Sequence, residues 1–335
     1  MIKVGINGFG RIGRYLLRVM DLFPQCEVVV INGHRSSNED MAYFLKYDSV
    51  HGRFPGTIEA TEKGIAINGR EIAITRCGKG EWAWKDYDVD LVVETTGTLK
   101  SREQLAEHIA CGAKKVIMSA PCKDADCTIV MGVNDNVYDA AKHDVLSAAS
   151  CTTNCLAPVA KVLNDAFGIK HGLMTTIHSY TMSQRILDGT SKDVRRGRAA
   201  CLSIIPTSTG AAKAVGLVIP ELNGLLNGGS MRIPTPDVSL VDFTCELKKE
   251  VTVEEVNAAL KAATDTYLKD NLGYSDEPLV SIDFVGDTHG GTVDAALTSV
   301  MNKTMVKTIT WYDNEAGFTH QLARLINLVG NSLAK

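Results

Sequence analysis

The sequence predicts an α/β fold in two parts. An N-terminal half is built on a parallel sheet, and an α+β half carries a large, mainly antiparallel sheet. Three observations lead there. Within about 30 residues of the start come a strand, a glycine turn, a helix and a second strand, which is a βαβ unit. Past the middle of the chain, strand-like runs become long and alternate apolar with polar residues, as in an antiparallel sheet covered on one face. The 335 residues also exceed one ordinary core, and domains of roughly 100–200 residues make two the natural number.

The elements follow in order. "IKVGING" is a short apolar strand over residues 2–6 that ends in a glycine turn. In "RIGRYLLRVMDLF", Ile12, Tyr15, Leu16, Val19 and Met20 recur at helical spacing. "CEVVVIN" is nearly continuous in β-branched residues, as buried parallel strands are. "IAINGREIAI" reads as a hairpin turning at Asn68-Gly69. "VDLVVETTG" and "KKVIMSAP" are strands around the helix "SREQLAEHIACG". "CTIVMGVN" and "DVLSAAS" close this half near Ala149. Then "CTTNCLAPVAKVLNDAFG" is a helix with a glycine stop. "GLMTTIHSYT", "SMRIPTPDVSLVDFTCEL" and "VKTITWYD" are strands, and "SQRILDGTSKDVRRGRAACLSIIP" is a long ordered loop. "TVEEVNAALKAATDTYL" is an amphipathic helix capped by Thr252, and "GFTHQLARLINLVGNSL" is the last helix. This places one domain at 1–149 together with a C-terminal helix at 315–335, and the other at 150–314.

Composition narrows the function classes. A formal charge of −4 gives no electrostatic case for nucleic acid or an anionic membrane. No apolar run reaches about 18 residues unbroken, so no membrane span is expected. The chain opens directly on a strand without a targeting segment, which reads as cytoplasmic. Nine cysteines, an odd number irregularly spaced, suit reduced thiols rather than a disulfide framework. None forms a CxxC pair, so no metal is expected.

Four motifs carry chemistry. In "GINGFGRIGR", Gly8, Gly10 and Gly13 form G-x-G-x-x-G after a strand and before a helix. That context marks a Rossmann-type dinucleotide-binding turn, with pyrophosphate against the helix N-terminus. The next strand ends at Gly33, followed by His34 and Arg35, where an acidic residue usually holds the adenosine ribose. In "SAASCTTNC", Cys151 sits where a strand gives way to a helix, with Ser150 or Thr152 able to cap. Helix dipole and free N–H groups favour a thiolate nucleophile there. Cys155, one turn deeper, reads as a buried structural thiol. His178 in "TTIHSYT" is a candidate base, although a lone strand histidine is more often a satisfied core group. The segment from Thr207 to Gly210 precedes a helix and offers hydroxyls to an anion, and Arg196, Arg198 and Arg232 add guanidinium forks. Solvated surface charge is the ordinary role of any one of these arginines.

Together these segments resemble phosphorylating glyceraldehyde-3-phosphate dehydrogenase, along essentially the whole chain. "NGFGRIGR", "KYDSVHG", "SAASCTTNC", "STGAAKAVG", "IPELNG" and "WYDNE" stand in that family's order and spacing. The resemblance implies oxidation of glyceraldehyde 3-phosphate to 1,3-bisphosphoglycerate through a Cys151 thioester, with His178 as base and inorganic phosphate as acceptor. It implies that Thr181 and Arg232 hold the substrate's phosphate, and that Ser150, Thr152, Arg196, Thr209 and Gly210 hold the attacking phosphate. Arg11, Ile12, Ser119 and Asn314 are expected to contact the cofactor. The implied assembly is a homotetramer in which a loop at about 182–200 lines a neighbour's cofactor site.

Two departures bear on the cofactor. Gly33 replaces the aspartate of NAD-specific members, and Gly189-Thr190 replaces a proline-containing pair. Arg35 and Thr190 are expected to meet a 2′-phosphate, which points to NADP, or to use of both NADP and NAD. NADP linkage would suit carbon fixation, and NAD linkage glycolysis or gluconeogenesis. Ala316 and Phe318 replace aromatic residues near the expected nicotinamide site. The competing readings are erythrose-4-phosphate dehydrogenase, another semialdehyde dehydrogenase of this layout, a cysteine hydrolase, and a nucleotide-binding redox-sensing module.

Overall fold

The structure, a computed structural model, describes residues 1–33 and 36–333. His34 and Arg35 lie outside the described residues. The chain folds as two compact units. The first takes Met1–Ile129, Asp135–Ala149 and Thr319–Lys335, and the second takes Val130–Asn134 and Ser150–Phe318. The sequence reading put a single switch at Ala149 and the return at 315. In the structure, Val130–Asn134 also joins the second unit and the return comes at Thr319.

The first unit contains β1 (Ile2–Asn7), α1 (Arg11–Val19), β2 (Cys26–Asn32), α2 (Asn38–Lys46), β3 (Tyr47–Asp48), β4 (Gly52–Arg53), β5 (Ile58–Ala60), β6 (Gly64–Ile67), β7 (Arg70–Thr75), β8 (Leu91–Glu94), α3 (Arg102–Ala110), β9 (Lys115–Met118), β10 (Cys127–Thr128) and β11 (Val145–Ser147). Nine of these strands make one sheet in the order β10-β11-β9-β8-β1-β2-β7-β6-β5. The ladders from β10 to β7 are parallel, and β6 and β5 add antiparallel at one edge. The central strands are apolar runs because both of their faces are covered. Val4, Ile6, Val92, Val93, Val116 and Ile117 are all fully buried. The chain leaves β1 for β2 on one side and returns as β8 on the other. That is a topological switch point, and it opens a crevice at the strands' carboxyl ends. The β6–β7 hairpin turns on Asn68 and Gly69, both at positive φ (50° and 82°), as a type I′ turn requires. The predicted strand "CTIVMGVN" is only two residues long, because Val130–Asn134 closes a turn of its own in which the Asn134 side chain accepts from the Val130 N–H at 2.9 Å.

The second unit contains α4 (Cys151–Phe167), β12 (Ile169–Ser179), β13 (Ile205–Thr207), α5 (Ala211–Val218), β14 (Leu226–Ile233), β15 (Ser239–Leu247), α6 (Val253–Thr264), β16 (Leu272–Ser275), β17 (Gly291–Met301), β18 (Met305–Tyr312) and the start of α7 (Ala316–Leu333). Its sheet runs β13-β14-β12-β15-β18-β17-β16. Most ladders are antiparallel, but β12–β14 and β16–β17 are parallel. Along β15 buried and half-buried residues alternate, as a sheet with one covered face demands. The run read as one strand, "SMRIPTPDVSLVDFTCEL", breaks into β14 and β15. Pro234 and Pro236 lack the N–H a ladder needs, and Val238 sits at φ 61°. Helix α6 starts with a full capping box between Thr252 and Glu255 and stops at Thr264, short of the predicted end.

Candidate functional site

The glycine turn between β1 and α1 shows three distinct roles. Gly8 is at φ +99°, and a Cβ there would stand 2.9 Å from both Thr95 and Thr96 side-chain atoms. A Cβ on Gly13 would meet the Gly8 carbonyl oxygen at 2.5 Å, so glycine lets helix and strand close up. Gly10, the N-cap of α1, has no atom within 4 Å of its Cβ position and faces open space. This is the cradle a pyrophosphate needs, with the helix N-terminus directed at it. The turn borders a cleft of about 730 Å³ whose wall includes Asn7, Asn32, Gly33, Thr96 and Trp82. Ser119, at the end of β9, donates from both its N–H and its hydroxyl to the Glu94 carbonyl, at 3.0 and 2.9 Å. Ile12 is half-buried in the first turn of α1.

Arg11, which the sequence reading assigned to the cofactor, also has an acidic partner within its own unit. Its guanidinium forks onto the Asp48 carboxylate at 2.6 and 3.1 Å. Burial pushes the Asp48 carboxyl up. The Arg11 bonds and the N–H groups of His51 and Val50 outweigh that and hold it at about 2. Through its side chain, then, Arg11 holds α1 against the segment after α2.

Gly33 ends the second strand, and its N–H donates to the Thr75 carbonyl at 2.9 Å. A Cβ there would lie 2.7 Å from the sulfur of Met41, a buried side chain of α2. The place of the missing carboxylate is therefore backed by a thioether. Arg35 lies outside the described residues. Arg76, which sequence reasoning missed, stands at this rim. It donates to the Ser36 carbonyl at 3.2 and 2.7 Å and to the Asn38 side chain at 2.7 Å. Its only sequence signal was its position just past β7, the strand beside β2.

In the second unit the chain leaves β11 through Ala149, an alanine at φ 58°, and enters α4 at Cys151. Between the two capping residues offered by the sequence, the structure chooses Ser150, whose hydroxyl accepts from the Thr153 N–H at 3.1 Å. His178, one residue before the end of β12, brings Nε2 to 3.5 Å from Cys151 Sγ. On the other side of the ring, Nδ1 lies 2.7 Å from the Ser179 carbonyl and 2.7 Å from Arg232 Nη1. Arg232 is the register partner of His178 on the neighbouring parallel strand. With its proton on Nδ1, bonded to the Ser179 carbonyl, the ring presents the Nε2 lone pair to the thiol; Arg232 Nη1 then donates to that same carbonyl, at 2.9 Å, rather than to Nδ1.

Burial raises the Cys151 thiol, with the Arg232 charge opposing, and burial together with Arg232 pushes His178 down to about 3. Each group is thus costly to charge alone. A proton passed from Sγ to Nε2 creates both charges together, and each then offsets the other's burial cost. The α4 N-terminus adds its dipole to the thiolate side. Cys155 is fully buried one turn on, with its thiol raised well above the usual range by burial.

The remaining sequence candidates fall in separate clusters. Thr152 is buried, and its hydroxyl meets the Tyr312 hydroxyl at 3.0 Å, which in turn meets Thr176 at 2.7 Å. Tyr312 was not singled out by sequence, although it belongs to "WYDNE". Arg196 donates to the Thr207 hydroxyl at 2.7 Å. The Thr209 hydroxyl accepts from the Ala211 N–H at 3.1 Å, and Gly210 caps α5 with open space at its Cβ position. The Thr181 and Ser183 hydroxyls pair at 3.0 Å. Arg232 keeps its buried Nε without a hydrogen-bond partner, an edge suited to an anion. Asn314 accepts from the Ser239 hydroxyl at 2.6 Å, and Ser239 accepts from the Ser179 N–H, so the amide is tied to the histidine's neighbour. Thr190 is exposed, and its carbonyl accepts from Arg185 at 3.1 and 3.0 Å. Ala316 and Phe318 are buried. No hydrogen bond joins Arg196 to Ser150 or Thr152 among the described residues.

Comparison with known proteins gives a consistent picture. Residues 2–102 match the description "Glyceraldehyde 3-phosphate dehydrogenase, NAD binding domain", and residues 150–314 match its "C-terminal domain". The chain is 56% identical to the glyceraldehyde-3-phosphate dehydrogenase of Geobacillus stearothermophilus over 325 residues, 97% of each chain. It is 55% identical to glyceraldehyde-3-phosphate dehydrogenase 1 of Bacillus subtilis (strain 168), again over 97% of each. It is 48% identical to glyceraldehyde-3-phosphate dehydrogenase 2 of Streptomyces avermitilis, over 99% of each.

Proposed function

Because the chain belongs to the glyceraldehyde-3-phosphate dehydrogenase family, we propose that it oxidises glyceraldehyde 3-phosphate to 1,3-bisphosphoglycerate with NAD(P) and inorganic phosphate. The observation that carries the reading is the thiol of Cys151 at a helix N-terminus, 3.5 Å from Nε2 of His178. Nε2 takes the thiol proton as Sγ adds to the aldehyde carbon and hands it to the new oxyanion, giving a neutral hemithioacetal on Cys151 and a neutral ring. His178 then holds the oxygen and accepts its proton as the carbon is oxidised to the thioester. The bound dinucleotide supplies the hydride acceptor, and the Gly8–Gly13 turn and the α1 N-terminus would hold its pyrophosphate. Phosphate attacks the thioester and releases the Cys151 thiolate.

Arg232 and Thr181 would hold the substrate's phosphate, and Arg196, Thr209, Gly210, Ser150 and Thr152 the attacking one. Support for the first is the free Nε edge of Arg232 beside His178. For the second it is the hydroxyl-rich approach to α5 with Arg196 already bound to Thr207. Ser150 and Thr152 already spend their hydroxyls on the α4 cap and on Tyr312, and each would offer a remaining lone pair or proton. Stoichiometric alkylation of Cys151 by iodoacetamide tests the reaction. It should abolish reduction of NAD and NADP alike, and undiminished reduction would sink the dehydrogenase reading.

We further infer that the cofactor site accepts NADP as well as NAD. Support comes from the absence of a carboxylate at Gly33 and from Arg76 at the same rim. Arg35 and Thr190 would join them, Thr190 from a neighbouring subunit of a homotetramer. The loop that would reach over exposes Met182, Ile186, Leu187 and Val194, apolar side chains that a partner would cover. Initial rates with NAD and NADP, with and without phosphate, on wild type and Gly33→Asp test this. An unchanged cofactor ratio in the variant would remove the strand end from the account.

A further inference from the structure

Beneath the cleft of the first unit lies a buried hydrogen-bond chain that the proposed reaction does not use. Its hub is Glu94, the last residue of β8, 1% exposed. From one side, Trp84 Nε1–H donates to His108 Nδ1 at 3.0 Å, which leaves the ring proton on Nε2, 3.1 Å from Glu94 Oε2. From the other side, the Cys77 N–H donates to Asn32 Oδ1 at 2.8 Å, as does the Thr75 hydroxyl at 3.1 Å. Asn32 Nδ2 donates to Asn7 Oδ1 at 2.9 Å, and Asn7 Nδ2 to Glu94 Oε2 at 2.5 Å. The Thr96 N–H donates to Oε1 at 2.7 Å, and the Thr96 hydroxyl donates to the same oxygen. A main-chain N–H can only donate, so Cys77 fixes which way each amide in turn must face. Both chains therefore donate toward Glu94, while Asn32 Nδ2 also donates back to the Cys77 carbonyl at 3.2 Å.

The carboxylate stays ionised in this setting. Burial pushes it up, but the donors from His108, Thr96 and Asn7 bring it below its ordinary value. A buried negative charge under a pyrophosphate seat does nothing to attract the ligand, so its use must lie in what it holds. Asn7, Asn32 and Thr96 line the cleft, and so does Trp82, whose ring lies 3.8 Å from the His108 ring, centroid to centroid.

We propose that Glu94 is a positioning residue for the cofactor: the carboxylate on which both hydrogen-bond chains end sets Asn7, Asn32 and Thr96 on the cleft floor and, through His108, the Trp82 ring on its wall. This rests on the dinucleotide reading of the cleft. A glutamine cannot replace the carboxylate, because two donors face each carboxylate oxygen, and an NH₂ at either place would meet two donors and accept neither.

The test is a titration of NADH and NADPH, followed by tryptophan fluorescence, into wild type, Glu94→Gln and Trp84→Phe. The rate of Cys151 alkylation without cofactor is measured alongside. Loss of a charged hub bond, about 1.5–3 kcal/mol, predicts dissociation constants raised about tenfold or more in Glu94→Gln. Losing one outer bond predicts about threefold in Trp84→Phe. Alkylation should stay within about twofold in both, whereas a merely structural lesion would move both readouts together. Dissociation constants for Glu94→Gln within twofold of wild type, or binding and alkylation changing in step, would overturn the proposal. Should Glu94→Gln fail to fold, Trp84→Phe decides, and wild-type binding by it overturns the proposal. A wild type that binds neither dinucleotide instead overturns the reading of the cleft.

Discussion

In the first unit the candidate ligand groups cluster in short stretches of chain, at the carboxyl ends of adjacent parallel strands: Asn7 to Gly13, Asn32 and Gly33, and Glu94 to Thr96. Much of that site is defined by what is missing, a Cβ at Gly8, Gly10 and Gly13. In the second unit Cys151, His178, Arg232 and Tyr312 come from four different elements, and the Thr152–Tyr312 contact spans 160 positions. There each group is a side chain held by specific side-chain neighbours. The difference teaches which perturbations each site resists. Backbone and a buried polar floor shape the first, so cofactor affinity should depend on positions that never touch the cofactor. Single side-chain atoms make the second, so its chemistry should collapse on single substitutions that leave binding in the first unit intact.

The sharpest way to break that contrast is Cys151→Ser. Turnover should fall on the order of 10³-fold or more while the dissociation constant for NADH is unchanged. A parallel loss of binding would show that the sites are not separable. His178→Asn should lower kcat by about 10²- to 10⁴-fold. It should also slow Cys151 alkylation at neutral pH, since the thiolate loses its proton acceptor, and faster alkylation would contradict the pairing.

A smaller effect tests the first unit. Asp48 is held at about 2 in the fold against 3.8 for its ordinary value. Its folded pKa is depressed, so its contribution is complete above about pH 4 and disappears as pH falls toward 2. That contribution is about 2 kcal/mol. Acid titrations of unfolding free energy for wild type and Asp48→Asn should therefore converge near pH 2, and curves that stay parallel down to that pH would refute the ion pair's role. Smallest, Tyr312→Phe leaves the buried hydroxyls of Thr152 and Thr176 to find other partners. The expected cost is about 1 kcal/mol of stability, together with a raised KM for phosphate. Calorimetry and phosphate kinetics check the two halves, and a KM equal to wild type would detach Tyr312 from the phosphate site.

The same contrast explains how much was legible in the sequence. The glycine turn, the β6–β7 hairpin, Cys151 at its helix start and the Thr252 cap are local patterns, and the chain states them within a few residues. The nearness of His178 to Cys151 depends on how α4 lies along β12, and the pairing of His178 with Arg232 on a parallel register. No spacing in the sequence encodes either; the resemblance to a family pointed to the first, and nothing in the sequence reading pointed to the second. The Arg11–Asp48 ion pair was not legible, because its two halves stand 37 positions apart. Glu94 and His108 escaped notice because a buried carboxylate inside an apolar strand has no local sign of its partners.

Met41 behind Gly33 has a consequence for mutational history. An acid at position 33 makes the end of Met41 move, because its Cβ would arrive 2.7 Å from the Met41 sulfur. The end of a methionine side chain can swing away, but this one is 1% exposed and has neighbours on all sides. Substitutions at 33 and 41 should therefore be non-additive, with the order of acquisition mattering: a smaller residue at 41 first leaves a void, and an acid at 33 first meets a crowd. On the proposed reading of the strand end, changing the cofactor would thus involve positions 33 and 41 together.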